Sequence, residues 1–361
     1  MRFFAGKARA GRIYASGGVA RDARQAGEAR LWHDSLTGAA GRSVARYARW
    51  ARGARRRYDA TRRVIAVTLA LALVAPNVAA SPGAEADAHV AAFIQVPVRE
   101  LMVGIADVAD LSRRFLQLGY HLDHVRSGAG EVPRLLLANL PGDMPEIKLV
   151  EVRKAMFIQA VLPLILRANE QIAADRQRLR MLVARPSIWS DADSVWVAQL
   201  AFRYSVDQFD LAELTRRVDV IPISLAIAQA AEESGWGTSR FAIEGNAVFG
   251  QWTYDPEKGL VPNSREEGRS HLVRSYDGLL GSVSGYMLNL NTHDAYNAFR
   301  NRRQAMRTDI GALDATALAS TLIYYSEGRR DYTKRIRDII ETNDLTAFDD
   351  ARLSREMRGL N

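Results

Sequence analysis

Glu233 combines a residue type and a position that suit acid catalysis. It falls in the segment from Pro222 to Gly237, whose small and apolar residues recur at helical spacing. Glu233 comes seven residues after Ala226 and three after Ala230, so it shares their inward face. Burial there disfavours the ionised form and raises the pKa of a carboxyl group. The spacing therefore predicts a general acid that is protonated near neutral pH. The alternative is a solvated or ion-paired residue at a helix end.

The residues around Glu233 indicate how a helix would position it. Pro222 suits the first turn of a helix, and Gly235 suits the left-handed position that ends one. Glu232 is rotated by about 100° from Glu233, so the two carboxyl groups face different surroundings. Trp236 offers an apolar wall and a flat face for stacking. We therefore expect a helix that ends at Gly235 with Glu233 in its last turn.

The rest of the body is mostly helical in pattern. Apolar residues at three- and four-residue spacing predict helices over 99–118, 149–183, 191–209 and 211–218. Pro163 is expected to kink or divide the longest of them. The clearest β candidate is 260–276, which has a turn-like Glu266-Glu267-Gly268 and is typical of a small hairpin. These patterns predict a mainly α, α+β fold.

The distribution of charge argues against a nucleic-acid partner. The net charge is +8, but residues 1–80 hold 16 Lys and Arg against 4 Asp and Glu, whereas residues 81–361 hold 33 against 37. A mildly acidic body is a poor match to a phosphate backbone. The chain has no cysteine, which excludes disulfides and thiolate sites. His121 and His124 have no evident further ligand, so we expect no metal and no cofactor.

Residues 1–80 have the order of an export leader. Arginine-rich sequence precedes an apolar core at 64–75, and Val78-Ala79-Ala80 resembles a small-residue cleavage site. The core is shorter than the roughly 20 residues of a membrane span. We expect an exported protein of the periplasm or cell envelope, with the leader either cleaved or kept as an inner-membrane anchor. A buried helix of a soluble protein is the alternative, and 81–92 is predicted to be a linker.

The segment Ala228-Gln-Ala-Ala-Glu-Glu-Ser-Gly-Trp-Gly237 resembles the signature of the glucosaminidase family of peptidoglycan hydrolases, glycoside hydrolase family 73. The block 245–252 is similar to that family's Asn-…-Phe-Gly block. The segments 156–166, 174–178 and 259–268 look most like its Bax-type branch, so the resemblance covers about 93–345. In that family the acid is the Glu directly before Ser-Gly-Trp-Gly, which here is Glu233.

The resemblance implies a lysozyme-like fold, with a helical lobe, a small β-hairpin lobe and a cleft between them. It implies a catalytic domain at 206–345 and a helical N-terminal extension at 93–205 packed on it. The polar residues that follow predict a polar tail at 346–361. The implied activity is that of an endo-β-N-acetylglucosaminidase on peptidoglycan glycan strands. A muramidase, a lytic transglycosylase or a non-catalytic wall scaffold remain alternatives, and the oligomeric state is left open.

Glycoside hydrolysis usually employs a second carboxylate. Glu267 is our first candidate and Glu266 the second, unless both are solvated turn residues. The substrate's own 2-acetamido group is a third candidate.

Tyr325 and Tyr332 match tyrosines of the family, and they either orient the acetamido group or water, or pack the helices. The residues expected to line or support the cleft are Trp236, Asn246, Phe249, Gln251 and Trp252. Phe249 is the most core-like of them, and the two tryptophans best suit stacking on a sugar.

Overall fold

The computed structural model describes residues 102–253, 255–261, 272–309, 311–326 and 328–355. They belong to one compact unit of the chain, Val96–Asn361. The predicted leader, the linker at 81–92, and the hairpin residues Glu266 and Glu267 lie outside the described residues. Within the described ranges, no helix is both long enough and apolar enough to cross a bilayer.

Helices dominate the described chain. They are α1 (Val108–Gln117), α2 (Leu122–Arg126), α3 (Val150–Val183), α4 (Asp191–Arg203), α5 (Leu211–Arg217), α6 (Ile223–Ser234), α7 (Arg240–Gly245), α8 (Leu279–Thr292), α9 (Asn297–Asp309), α10 (Ala315–Ala319) and α11 (Arg329–Thr342). The strands are β1 (Met102–Val103), β2 (Leu136–Leu137), β3 (Trp252–Thr253), β4 (Gly259–Leu260) and β5 (Leu272–Arg274). The predicted mainly α, α+β fold is confirmed.

The core of the molecule surrounds α6. This helix packs against α3, α10, α11 and a 3-10 turn at Leu345–Phe348. Every residue of α6 is buried except Glu232 and Glu233, which are half-buried. Four of its twelve residues are alanine, whose small side chains let neighbouring helices approach closely. The helix that carries Glu233 is therefore held on nearly all sides.

Helix α3 spans the predicted range but is not divided at Pro163. A proline inside a helix loses one hydrogen bond and costs about 3 kcal/mol. The residues around Pro163, from Met156 to Leu166, are apolar and buried, apart from the polar and half-buried Gln159. Burial of several such side chains contributes about 1.5–3 kcal/mol each, which is enough to keep the helix continuous.

The first and fourth helices are shorter than the sequence predicts. Over 99–118, the described chain starts with β1, and α1 begins only after Asp107, whose side chain accepts a hydrogen bond from the Asp110 N–H. Helix α4 ends at Arg203 rather than 209, because Ser205 adopts a left-handed conformation with φ of 55°. Such caps set helix ends more locally than apolar spacing does.

The β structure is a three-stranded antiparallel sheet in the order β3-β5-β4. Trp252 pairs with Val273 on one side of β5, and Leu260 pairs with the same residue on the other. The predicted hairpin corresponds to β4 and β5, whereas β3 was not predicted. Its two residues are too few to show the alternation by which strands are recognised. A second, parallel pair joins β1 to β2.

Residues 346–355 differ from the predicted polar tail. Phe348 and Leu353 are buried, and Leu353 forms a parallel bridge with Val132. Few residues of this segment are apolar, but those few face the core. The polar residues between them leave no regular apolar spacing from which burial could be predicted. The segment therefore joins the region before α3 to the turn that packs on α6.

Asp349 caps the N-terminal end of α6. The residue before the helix, Pro222, has no side chain that can accept a hydrogen bond. Asp349 Oδ1 accepts instead from the Ser224 N–H at 2.8 Å, and Oδ2 accepts from the Ser224 hydroxyl at 2.7 Å. Burial raises the pKa of the Asp349 carboxyl, and the two hydrogen bonds from Ser224 oppose that rise. The helix dipole, which is positive at this end, also favours the carboxylate form.

We predict that Asp349→Ala lowers the free energy of unfolding by about 1–2 kcal/mol, the usual effect of removing a helix cap. Its neighbour Asp350 is exposed and gives the matched control, Asp350→Ala, with an expected change within about 0.5 kcal/mol. Urea unfolding of both variants measures the difference. Equal stabilities of the two would contradict the assigned cap.

Candidate active site

Glu233 lies in the last turn of α6, as predicted. The helix ends at Gly235, which has the predicted left-handed conformation with φ of 58°, and Trp236 follows with φ of 59°. The two adjacent carboxyl groups have different partners. Glu232 pairs with Arg335 of α11, with 2.5 Å between Oε1 and Nε. Glu233 accepts a hydrogen bond from the hydroxyl of Tyr332, which also lies on α11.

Burial gives Glu233 its acid–base property. Desolvation raises the pKa of its carboxyl from the ordinary 4.5 to about 7. The hydrogen bond from Tyr332 opposes this rise, the negative charge of Glu232 adds to it, and the positive charge of Arg335 opposes it. Glu233 therefore holds a proton near neutral pH and can also release one.

A line of buried hydrogen bonds leads to Glu233. The Tyr286 hydroxyl, on α8, donates to Gln229 Oε1 at 2.7 Å. Gln229 Nε2 then donates to the Tyr332 hydroxyl at 2.8 Å. Tyr332 bonds in turn to the Glu233 carboxyl. Side chains from α6, α8 and α11 thus meet behind the acid.

Aromatic rings surround this line of hydrogen bonds. Tyr325 stacks on Tyr332 with ring centroids 5.4 Å apart and planes 10° apart, and it meets Tyr286 and Tyr296 at larger angles. Phe249 stacks on Tyr286 at 3.8 Å. The Tyr325 hydroxyl donates a hydrogen bond to the Phe249 carbonyl at 3.3 Å. This bond to the backbone fits the prediction that Tyr325 packs the helices rather than the one that it orients substrate or water. Phe249 is buried, in agreement with its core-like character.

The loop between α7 and β3 passes against the Glu233 carboxyl. A Cβ atom on Gly250 would lie 3.1 Å from Glu233 Oε2, so the backbone of this residue, at φ of 57°, closes in on the acid. Asn246 Nδ2 donates to the Tyr276 carbonyl at 3.1 Å, and Gln251 Oε1 accepts from the Tyr276 hydroxyl. Asn246 and Gln251 therefore support this loop from the side of Tyr276.

The two predicted stacking residues differ in exposure. Trp236 is half-buried and packs edge-on to Phe157, with 5.9 Å between the ring centroids. Lys154 Nζ lies 5.4 Å from the centroid of the Trp236 ring. Trp252, on β3, exposes 55% of its surface. Of the two, Trp252 offers the larger face to a ligand.

Sequence reasoning missed Gln229, Gly250 and Tyr286. Gln229 had a signal, because it lies one turn before Glu233 in an otherwise apolar helix. Tyr286 had none, since it sits among apolar residues of α8 and looks like ordinary core. In the part of the chain that the structure describes, no three His, Asp or Glu side chains are grouped to hold a metal ion.

Comparison with known proteins identifies the family. Residues 210–345 match the family model Glucosaminidase, described as mannosyl-glycoprotein endo-beta-N-acetylglucosaminidase. The chain is also 33% identical over 197 residues to Protein bax of Escherichia coli strain K12, across 53% of this chain and 70% of that protein. It belongs to the Bax-type proteins with a glucosaminidase domain. No solved structure matches the chain.

The Bax-type identity relates the site to a known kind of domain. A glucosaminidase domain indicates a glycosidase related to peptidoglycan hydrolysis. Glu233 and its hydrogen-bonded partners all fall inside the matched range of 210–345. Asp349, which caps the helix carrying the acid, lies just beyond it, and α3, which packs on that helix, lies before it.

The pKa of Glu233 predicts how the stability of this Bax-type protein depends on pH. The pKa of Glu233 is about 7 in the folded chain and 4.5 in the unfolded chain, so the protonated carboxyl favours the folded state. This contribution to stability is complete below pH 4.5 and is lost as the pH rises through 7. Because the side chain of Glu233→Gln cannot ionise, the difference in free energy of unfolding between this variant and the parent should shift in favour of the variant by up to about 3 kcal/mol between pH 4.5 and 8. Urea unfolding across this range measures the gain, and parallel curves for the two proteins would contradict it.

Proposed function

We propose that this Bax-type chain is an endo-β-N-acetylglucosaminidase that hydrolyses the β-1,4 bond after N-acetylglucosamine in peptidoglycan, with Glu233 as general acid. The observation that carries the proposal is the half-buried Glu233 carboxyl, whose pKa is raised to about 7 and which faces the loop before β3. A general acid is most effective when its pKa lies near the working pH.

In the proposed reaction, Glu233 gives its proton to the glycosidic oxygen as the bond from the anomeric carbon to that oxygen breaks. Water supplies a hydroxyl group to the anomeric carbon and a proton that restores the acid. The Tyr332 hydroxyl stabilises the carboxylate that forms when the proton leaves. The exposed face of Trp252 would stack on a sugar ring.

The direct test replaces each of the adjacent carboxyl groups by an amide. Glu233→Gln should lower the rate of release of soluble fragments from purified sacculi by at least about 100-fold, because the proton donor is lost. Glu232→Gln, the matched control, removes a neighbouring carboxyl that pairs with Arg335, and it should retain the rate within about threefold. Near wild-type activity of Glu233→Gln would exclude this residue as the acid.

The ends of the released fragments separate the related activities. Mass spectrometry should find N-acetylglucosamine at the reducing ends. An N-acetylmuramic acid end would indicate a muramidase instead, and an anhydro form of that sugar would indicate a lytic transglycosylase. Binding to sacculi without release of any fragments would support a scaffold.

We propose Glu267, ahead of Glu266, as the second catalytic carboxylate, with the 2-acetamido group of the substrate as the alternative. The general need for a second group and the position of Glu267 next to Gly268 in the predicted turn support this choice, and the flanking strands β4 and β5 pair with each other. Glu267→Gln should lower the rate by at least about 100-fold, and Glu266→Gln by much less. The reverse order would assign Glu266, and small losses in both variants would favour the acetamido group.

An exported location follows from this substrate, and the predicted leader at 1–80 supports it. Cell fractionation tests the proposal: recovery of the full-length protein in the cytosol would contradict it.

A further inference from the structure

Gln229 is a buried polar residue in the middle of an apolar helix. Its neighbours along α6 are isoleucine, leucine and alanine, and its side chain is fully removed from solvent. A buried amide without partners is costly, so both of its ends need hydrogen bonds. The oxygen accepts from Tyr286 at 2.7 Å, and the nitrogen donates to Tyr332 at 2.8 Å. Gln229 therefore connects two tyrosines that come from different helices.

The direction of these bonds determines what Tyr332 can do. A tyrosine hydroxyl has one proton to donate, and an amide has distinct donor and acceptor ends. Since Gln229 Nε2 already donates to the Tyr332 oxygen, the Tyr332 proton remains for the Glu233 carboxyl. If the amide were reversed, the Tyr332 proton would go to Gln229 instead, and Glu233 would lose its donor.

Tyr286 selects between the two directions. In the observed direction, the Tyr286 proton is used in the bond to Gln229 Oε1. In the reversed direction, Tyr286 would accept from the amide and its own buried proton would lose this acceptor. An unsatisfied buried donor is costly, so the Tyr286 hydroxyl favours the observed direction.

We propose that Gln229 and Tyr286 are positioning residues, which act through Tyr332 to keep its hydroxyl donating to the Glu233 carboxylate as the proton leaves. The proposal rests on the proposed function for its catalytic meaning. Neither residue is proposed to touch substrate. Their contribution is to hold the donor in place before the charge on Glu233 develops, so that no rearrangement is needed during the reaction.

Two charged groups act on Glu233 and have to be separated from this effect: Glu232 beside it on α6 and Arg335 on α11. The neutral tyrosines Tyr296 and Tyr325 lie near the acid, and their own pKa values are raised by burial and further by the negative charge of Glu233. Tyr296 supplies a matched control. It belongs to the same group of rings, contacting Tyr325 at 5.8 Å, but its hydroxyl bonds to Asn289 and not to Gln229.

The test compares Tyr286→Phe with Tyr296→Phe, each of which removes one hydroxyl and keeps its ring. Carboxyl 13C NMR follows the titration of Glu233, whose signal is assigned by its absence in Glu233→Gln. Weaker donation by Tyr332 should raise the pKa of Glu233 in Tyr286→Phe by about half a pH unit or more. The high-pH limb of the rate on sacculi should move upward by the same amount, because the acid stays protonated to higher pH. Tyr296→Phe should leave the titration unchanged.

A second variant, Gln229→Met, keeps an unbranched side chain of similar size but removes both hydrogen bonds. It should raise the pKa of Glu233 at least as much as Tyr286→Phe does. Thermal unfolding checks that each variant is folded, so a shift can be distinguished from loss of structure. Unchanged titration of Glu233 in both Tyr286→Phe and Gln229→Met would overturn the proposal, and so would equal shifts in Tyr286→Phe and Tyr296→Phe.

The titration needs no substrate, so it separates this proposal from the proposed function. If Glu233→Gln is inactive while Tyr286→Phe and Gln229→Met both leave the titration unchanged, the function stands and the positioning role fails. If the titration shifts as expected but the parent protein releases no fragments from sacculi, Gln229 and Tyr286 still orient the Tyr332 hydroxyl. In that case their orienting role has no catalytic function of the kind proposed.

Discussion

The carboxylate form of Glu233 loses much of its hydration in the folded protein, and this loss constrains everything around it. The donor that compensates is the hydroxyl of Tyr332, while the paired charges of Glu232 and Arg335 act with opposite signs. The surroundings therefore keep the pKa of Glu233 near neutral pH, so that the carboxyl group can both hold and release a proton. A fully apolar environment would raise this pKa further, and full solvation would return it to a value well below neutral pH.

This balance requires a rigid support, which α6 provides. A helix in contact with three others and with the 345–348 turn has little freedom to shift. Small side chains make that close packing feasible, and the left-handed conformation at Gly235 stops the helix directly after the acid. Gly250 brings a second backbone segment to the carboxyl, where a residue with a Cβ atom would be both strained and crowded. Precise placement of one side chain thus depends on residues far apart in sequence.

Sequence alone was sufficient for the local features of the site. The end of α6 at Gly235 and the raised pKa of Glu233 follow from residue types and spacing within a dozen residues, whereas the burial of α6 on nearly all sides does not. The buried core role of Phe249 also fitted its residue type. What could not be predicted depends on long-range contacts. Tyr286 is 57 residues from Gln229, and Asp349 is 125 residues from Ser224. No periodicity reports such pairs, because each residue looks ordinary in its own segment.

The bond between Asp349 and Ser224 has a consequence for how the chain assembles. The helix that carries Glu233 is not capped until residue 349, 125 positions after Ser224, has been synthesised. A nascent chain whose synthesis has not yet reached Asp349 therefore lacks this cap. Such an order of events would postpone the full stabilisation of the helix until well after its own residues have been made.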